Sequence, residues 1–204
     1  QRMMDRTEAY WRLWALKEPL DLSPLPERVR DMFVRSQVIC RTQIDNNGAI
    51  IAANDYDITH FAGDTYSYMW PRDGALVSHA LVLSGHGELS RKFFRFCEQV
   101  ISKEGYFLHK YNPSGTLASS WHPSVLDGQR VLPIQQDETS LVIWALRRHF
   151  QIYRDVEFIK TTYNTLVVEP ANWLLRHLWH TALCGVFGGA VYALDLRAQL
   201  GRRL

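Results

Sequence analysis

Apolar residues recur at helical spacing in five separate segments of this 204-residue chain. A repeat of about 3.6 residues is typical of amphipathic helices. We expect such helices over residues 27–41, 73–84, 88–102, 137–153 and 156–177, the last one bent near Pro170. Residues 49–53 predict only a short buried strand or extended piece. Helices of this kind bury their apolar sides against one another, so the sequence predicts an all-α fold.

Long aromatic-rich loops separate the predicted helices, at residues 54–72 and 103–136. A loop of more than about 15 residues inside a compact domain is usually functional or disordered. The second loop contains six aromatic or histidine residues, a composition unlike that of disordered segments. These residues are Tyr106, Phe107, His109, Tyr111, Trp121 and His122. We expect this loop to be ordered and to lie over a site.

Composition excludes several partners. The net charge is +2, and no run of basic residues interleaved with aromatic residues predicts nucleic-acid binding. The longest apolar run, residues 182–194, is shorter than the roughly 20 residues that span a membrane.

The histidines and the three cysteines lack metal-binding spacing, so we expect no metal. Three widely separated cysteines favour free, inert thiols in a reducing compartment, which we take to be the cytoplasm.

The densest polar and aromatic cluster is Tyr66–Asp73, which ends where a helix is predicted to begin. Aromatic faces pack on the C–H face of sugar rings, and Arg72 and Asp73 supply the donors and acceptors that hydroxyl groups require. The alternative is structural: Arg72 and Asp73 form a local ion pair or cap, and the rings fill the core.

A second cluster spans residues 119–123 and 132–138 and also precedes an apolar helix. Here the alternative is that Asp137 caps the helix while solvent covers the two glutamines. Both clusters share one layout, in which a polar and aromatic loop leads into the N-terminus of an apolar helix. If the two helices run parallel, both loops lie at one end of the fold and form one pocket.

Four segments in the same order resemble glycoside hydrolase family 15, the family of glucoamylases, glucodextranases and some trehalases. They are residues 63–75, 109–115, 119–123 and 132–139, and the resemblance covers about residues 27–177. It implies an (α/α)6 barrel, of which this chain would supply about the first half. It also implies inverting hydrolysis of terminal α-linked glucose from the non-reducing end of an α-glucan or glucose-containing oligosaccharide, without a cofactor.

The same resemblance implies roles for individual residues. Arg72 and Asp73 match the pair that grips the hydroxyls of the terminal glucose, and Tyr66 and Trp70 match aromatic residues of that subsite. The residues that match the wall of the family's pocket are Trp121, His122, Gln136, Asp137 and Glu138.

The sequence departs from the family after residue 177. The family's general acid lies in a Trp-Glu-Glu-like segment, but residues 178–185 contain no carboxylate, and the general base belongs to the second half of the barrel. We therefore expect neither catalytic carboxylate in this chain. The predicted organisation is an N-terminal extension or linker (1–26), an incomplete glycosidase-like domain (27–177) and an unrelated tail (178–204). We hypothesise that the tail comes from a shifted reading frame, and sequencing of the coding DNA tests this.

Half a barrel would leave apolar faces such as residues 141–146 without partners. We therefore expect self-association and poor solubility. Two other functions remain open. The parent enzyme could be a trehalase or glucodextranase, or the chain could be a non-catalytic sugar-binding module, as in the glucoamylase-like domains of phosphorylase kinase regulatory subunits.

Overall fold

The computed structural model describes residues 2–18, 20–54, 65–118 and 125–177 of the chain. Helices dominate these ranges, which agrees with the predicted all-α class. A short π-helical segment, Asn164–Val168, joins the last two helices. The elements in chain order are α1 (Arg2–Ala15), α2 (Glu27–Thr42), α3 (Pro71–Leu83), α4 (Gly87–Val100), β1 (Val125–Leu126), β2 (Gln129–Arg130), α5 (Gln136–Tyr153), α6 (Val156–Tyr163) and α7 (Glu169–His177).

The helix boundaries follow the predicted segments closely, with one shift that matters for the site. The helix predicted from Asp73 begins two residues earlier, at Pro71. Proline suits the first helical position, since the N–H that it lacks would have no partner there in any case. Arg72 therefore lies inside the first turn of α3 and not in the loop before it.

The helix predicted over residues 156–177 is interrupted. The N–H of Glu169 donates to the carbonyl of Asn164, five residues back, which widens the turn ahead of Pro170. Pro170 has no N–H for the carbonyl of residue 166, and its ring would clash with that carbonyl in a regular helix. The disturbance expected near Pro170 is thus present as a π-helical turn between α6 and α7.

A two-stranded hairpin lies in the loop that the sequence left without regular structure. In it β1 and β2 pair antiparallel through Val125 with Arg130 and Leu126 with Gln129. The turn residues Asp127 and Gly128 have φ of 51° and 78°. Asp-Gly in a two-residue loop is a strong hairpin signal, but strands of two residues are too short to show a hydrophobic period.

The core lies between α3, α4 and α5. The side chains of Phe93, Phe94 and Phe96 on α4 are fully buried, and each contributes on the order of 2–3 kcal/mol by leaving water. Gly74 lets α3 approach α4 closely, because a Cβ at this position would collide with the ring of Phe93.

The expectation that residues 141–146 lack partners is wrong. Val142, Ile143, Ala145 and Leu146 are buried, since α5 packs against α3, α4 and α7 within this chain. Exposed apolar side chains lie elsewhere on several helices, among them Met3, Met4 and Leu13 on α1, Met32 and Ile39 on α2, and Leu76 and Leu83 on α3. Leu76 and Leu83 are 50% and 53% exposed, so α3 offers one apolar surface for self-association.

The N-terminal segment folds back on the bundle. Trp14, near the end of α1, stacks on the ring of His86 with a centroid distance of 3.9 Å. Lys17 pairs with Glu88 at 3.0 Å. These contacts attach the segment predicted as an extension to the start of α4. No helix in the described ranges is both long and apolar enough to cross a membrane.

The segment at residues 49–53 is an extended piece and not a regular strand. It forms an isolated antiparallel bridge between Ile44 and Ile50. Its later amides, those of Ala52 and Ala53, donate to the carbonyls of Tyr68 and Tyr66 at 3.0 and 3.2 Å. The extended piece therefore fixes the backbone of the aromatic loop that precedes α3.

Candidate functional site

The N-termini of α3 and α5 meet because the two helices run parallel. Their starts, middles and ends are in contact in that order. The three contacts are Arg72 with Asp137 at 2.8 Å, His79 with Trp144 at a ring-centroid distance of 4.7 Å, and Tyr153 Oη with the carbonyl of Val82 at 3.3 Å. The two helices are therefore parallel, as the prediction of a shared pocket required, and the loops before them lie at one end of the fold.

Arg72 is the centre of the polar cluster at this end. Its Nη1 donates to Gln135 Oε1 at 2.7 Å and to Asp137 Oδ2 at 2.8 Å. Asp73 Oδ2 lies 3.7 Å from Nε, and Glu138 Oε1 lies 3.9 Å from Nη1. Partial burial lowers the pKa of Arg72, but Asp137, Glu138 and Asp73 together raise it above its ordinary value. The guanidinium is therefore held in one orientation as a permanent cation.

Glu138 differs from the other two carboxylates of the cluster. Its side chain is 0% exposed, and neither carboxyl oxygen has a hydrogen-bond partner among the described residues. Burial raises the pKa of Glu138 to about 9, and Arg72 offsets this only in part. The group is thus a neutral carboxylic acid at pH 7. It can donate a proton in a hydrogen bond as well as accept one.

The predicted capping role of Asp137 is wrong. Helix α5 begins at Gln136, its N-cap is Gln135, and no side chain makes a capping bond there. Asp137 lies in the first turn of the helix, where a negative charge is favourable, and its carboxylate binds Arg72 instead. On α3, Arg72 and Asp73 do approach each other, but the shorter contacts of Arg72 are with Gln135 and Asp137 on the neighbouring segment.

The aromatic residues divide into one exposed ring and one buried ring. Tyr66 is 45% exposed, whereas Trp70 is only 4% exposed. Their centroids lie 5.9 Å apart at an interplanar angle of 31°. Trp70 also meets the ring of Tyr68 edge-on, and the buried ammonium of Lys110 lies 4.2 Å from the centroid of Tyr68. Tyr66 therefore offers the accessible face, and Trp70 supports it from beneath.

Two further predicted residues fall outside the described part of the chain, namely Trp121 and His122. Gln136 is half-buried in the first turn of α5. Its neighbour Gln135 is the amide that reaches Arg72. Gln135 lies within the predicted cluster at residues 132–138, although it was not among the predicted site residues.

His109 is a site residue that sequence reasoning did not single out. Its Nε2 lies 3.2 Å from the indole Nε1 of Trp70, and its backbone N–H donates to the carbonyl of Pro133 at 2.7 Å. The signal available in the sequence was its place in the aromatic loop, between predicted helices. In the described ranges no group of three or more potential ligands could hold a metal ion.

Comparison with known proteins relates the chain to a glycosyl hydrolase. Over 130 residues, or 64% of this chain, the sequence is 29% identical to an uncharacterized glycosyl hydrolase of Methanocaldococcus jannaschii. The chain spans only a small part of that relative, since the match covers 18% of the relative's length. No protein-family model matches the chain. No solved structure matches it either.

Proposed function

We propose that this chain carries a glucose-binding subsite of a glycoside hydrolase of the glucoamylase type, family 15, built on an (α/α)6 barrel. The observation that supports this most is the fixed guanidinium of Arg72, which Gln135 and Asp137 hold at 2.7 and 2.8 Å. A fixed donor flanked by carboxylates matches the alternating donors and acceptors of adjacent sugar hydroxyls. The exposed ring of Tyr66 would cover the apolar face of the same sugar.

The proposed ligand is the terminal α-linked glucose of an α-glucan or a glucose-containing oligosaccharide, and the proposed reaction of the whole protein is inverting hydrolysis from the non-reducing end. Asp73 and Asp137 would accept hydrogen bonds from the sugar, and the fully buried Glu138 would contribute to binding through Arg72, since all three surround one guanidinium. An inverting acid and base instead face each other across the substrate, about 6.5–9.5 Å apart. Trp121 and His122 would complete the wall of the pocket.

Calorimetric titration of the full chain with maltose tests the proposal. Arg72→Lys keeps the positive charge but removes the planar fork of donors, so maltose affinity should fall at least about tenfold. Arg91→Lys is the matched control, because Arg91 forms its ion pair with Asp155 away from this cluster. Equal affinity in the wild type and Arg72→Lys would contradict the proposed role of Arg72.

Glucoamylases, trehalases and glucodextranases differ in the leaving group that they cleave from the terminal glucose. The residues around Arg72 would hold the terminal glucose, so they favour a glucoamylase no more than a trehalase or a glucodextranase. Competition among maltose, isomaltose and trehalose for this site distinguishes the three, since the preferred disaccharide names the linkage.

A second candidate is sugar binding without hydrolysis. It is favoured by the same geometry, in which three carboxyl groups surround Arg72 and Glu138 is fully buried. Saturable maltose binding by the full chain, together with no release of glucose, would support this candidate. Release of glucose by the chain alone would exclude it.

Cysteine usage supports a cytoplasmic location as a further proposal. Cys40 and Cys97 are free thiols. Burial raises the pKa of Cys97 well above its ordinary value, which makes that thiol unreactive. Stable free thiols of this kind suit a reducing compartment.

A further inference from the structure

The indole N–H of Trp70 has its acceptor on another loop. Trp70 is buried, and a buried indole N–H needs a hydrogen-bond partner. His109 Nε2 lies 3.2 Å from the indole Nε1, on a residue 39 positions further along the chain. The two rings meet nearly edge to face, with an interplanar angle of 75°. This contact joins the loop before α3 to the loop that follows α4.

Only one protonation state of His109 permits the contact. The indole N–H can only donate, so Nε2 must accept, and the ring proton of a neutral imidazole then resides on Nδ1. An imidazolium carries protons on both nitrogens and cannot accept. Protonation of His109 would therefore set two donors against each other and force the rings apart.

We propose that His109 is a positioning residue of this site, whose neutral imidazole holds Trp70 beneath the exposed ring of Tyr66. The role rests on the saccharide site proposed above. Trp70 lies 5.9 Å from Tyr66 between ring centroids and is too deeply buried to offer a face of its own. Displacement of Trp70 would remove the support of Tyr66, so His109 acts on the sugar through two rings and without touching it.

The surroundings of His109 favour the neutral form. Burial lowers the pKa of His109, and the adjacent charges of Lys110 and Arg72 lower it further. Asp137 on α5 and Asp73 on α3 act in the opposite direction, but the net pKa stays below the ordinary value of 6.5. The imidazole is thus neutral at pH 7 and becomes charged only in acid.

The backbone holds His109 in place from both sides. Its own N–H donates to the carbonyl of Pro133 at 2.7 Å, in the segment that leads into α5. Two residues on, Tyr111 exchanges both backbone hydrogen bonds with Met69 at 2.9 Å. The imidazole therefore lies between the segments that lead into α3 and α5, where the charges of Asp73 and Asp137 affect its pKa.

Nuclear magnetic resonance of the full ¹⁵N-labelled chain tests the contact without any sugar. Trp70→Phe identifies the indole N–H resonance of Trp70, and this resonance is followed from pH 8 to pH 5. It should titrate with a midpoint below the ordinary histidine value. Absence of a titration in the wild type, while the His109 ring itself becomes protonated, would overturn the proposal.

Two substitutions at His109 and one control sharpen the result. His109→Gln offers an amide oxygen near the position of Nε2, so the Trp70 resonance should persist but no longer titrate. His109→Leu removes the acceptor, so the resonance should resemble the acid form at every pH. His79→Gln, at a histidine that meets Trp144 instead, should leave the Trp70 titration unchanged. A Trp70 titration that survives in His109→Gln overturns the proposal.

Maltose titrations at the same pH values connect the contact to binding. Wild-type affinity should fall at least threefold across the pH range in which the Trp70 resonance titrates, and His109→Gln should lose this dependence while keeping most of its affinity. If Trp70 titrates but maltose affinity is constant with pH, the positioning role is wrong. If maltose does not bind at any pH, the proposed sugar site fails, whereas the resonance experiment still decides whether His109 positions Trp70.

Discussion

Glu138→Gln should stabilise the protein at neutral pH. The Glu138 side chain is fully buried, and burial raises its pKa to about 9 from an ordinary value of 4.5. At pH 7 the folded protein therefore keeps the carboxyl protonated, whereas the unfolded chain ionises it. Folding must take up a proton at pH 7, which costs free energy, and a glutamine avoids this cost.

The sign and the magnitude follow from linkage. Because the folded pKa lies above the unfolded value, the favourable contribution is complete below pH 4.5 and is lost as pH rises towards 9. At pH 7 the loss of stability depends only on the pKa of Glu138 in the unfolded chain, since pH 7 is still below its pKa in the folded protein. The interval of about 2.5 pH units corresponds to roughly 3 kcal/mol.

Urea denaturation followed by circular dichroism measures this at pH 4.5 and pH 7. The difference in unfolding free energy between Glu138→Gln and the wild type should be about 3 kcal/mol more favourable at pH 7 than at pH 4.5. Glu157→Gln is the control, since Glu157 is 84% exposed and its effect should stay within about 0.5 kcal/mol at both pH values. An equal effect of Glu138→Gln at both pH values would refute the reasoning.

Three further predictions concern the rest of the bundle. Burial lowers the pKa of His149 to about 4. The contribution of His149 to the free energy of unfolding is therefore complete above pH 6.5 and should fall by roughly 3 kcal/mol as pH drops towards 4. In urea unfolding, His149→Gln should show a smaller decline over this pH range. Gly74→Ala should lower stability by about 1–3 kcal/mol in thermal melts, because its Cβ meets the ring of Phe93, and Phe93→Leu should recover part of the loss. Leu76→Glu with Leu83→Glu should reduce self-association in sedimentation velocity, and unchanged association would exclude the exposed surface of α3 as its cause.

The sequence was sufficient to predict the helices and the meeting of the two loops. Periodicity identifies a helix from many residues at once, so errors at single positions cancel. The prediction that the loops before α3 and α5 share one end depended only on the helices being parallel. The contact of Arg72 with Asp137 at 2.8 Å agrees with it.

Individual side chains were harder to predict, because their directions depend on where each helix begins. Gln136 is the first helical residue of α5, whereas Gln135 before it is extended, so the two neighbouring amides point in different directions and only Gln135 bonds to Arg72. The same start takes Asp137 out of the capping position. The contact of His109 with Trp70 joins residues 39 positions apart, and no local pattern encodes a pairing of that kind.

The placement of Arg72 gives a physical reason to regard this end of the bundle as a binding site. A cation in the first turn of a helix faces the positive end of the helix dipole and is unfavourable there. Arg72 occupies this position on α3, and its partner Asp137 occupies the favourable equivalent position on α5. Structural stability alone would be served better by an uncharged residue at position 72 and an apolar one at position 138. Here the fixed cation of Arg72 and the buried carboxylic acid of Glu138 both lie at the N-termini of the two parallel helices, 3.9 Å apart. Sites that bind or react commonly retain such costly groups, and the gain in stability predicted for Glu138→Gln measures that cost directly.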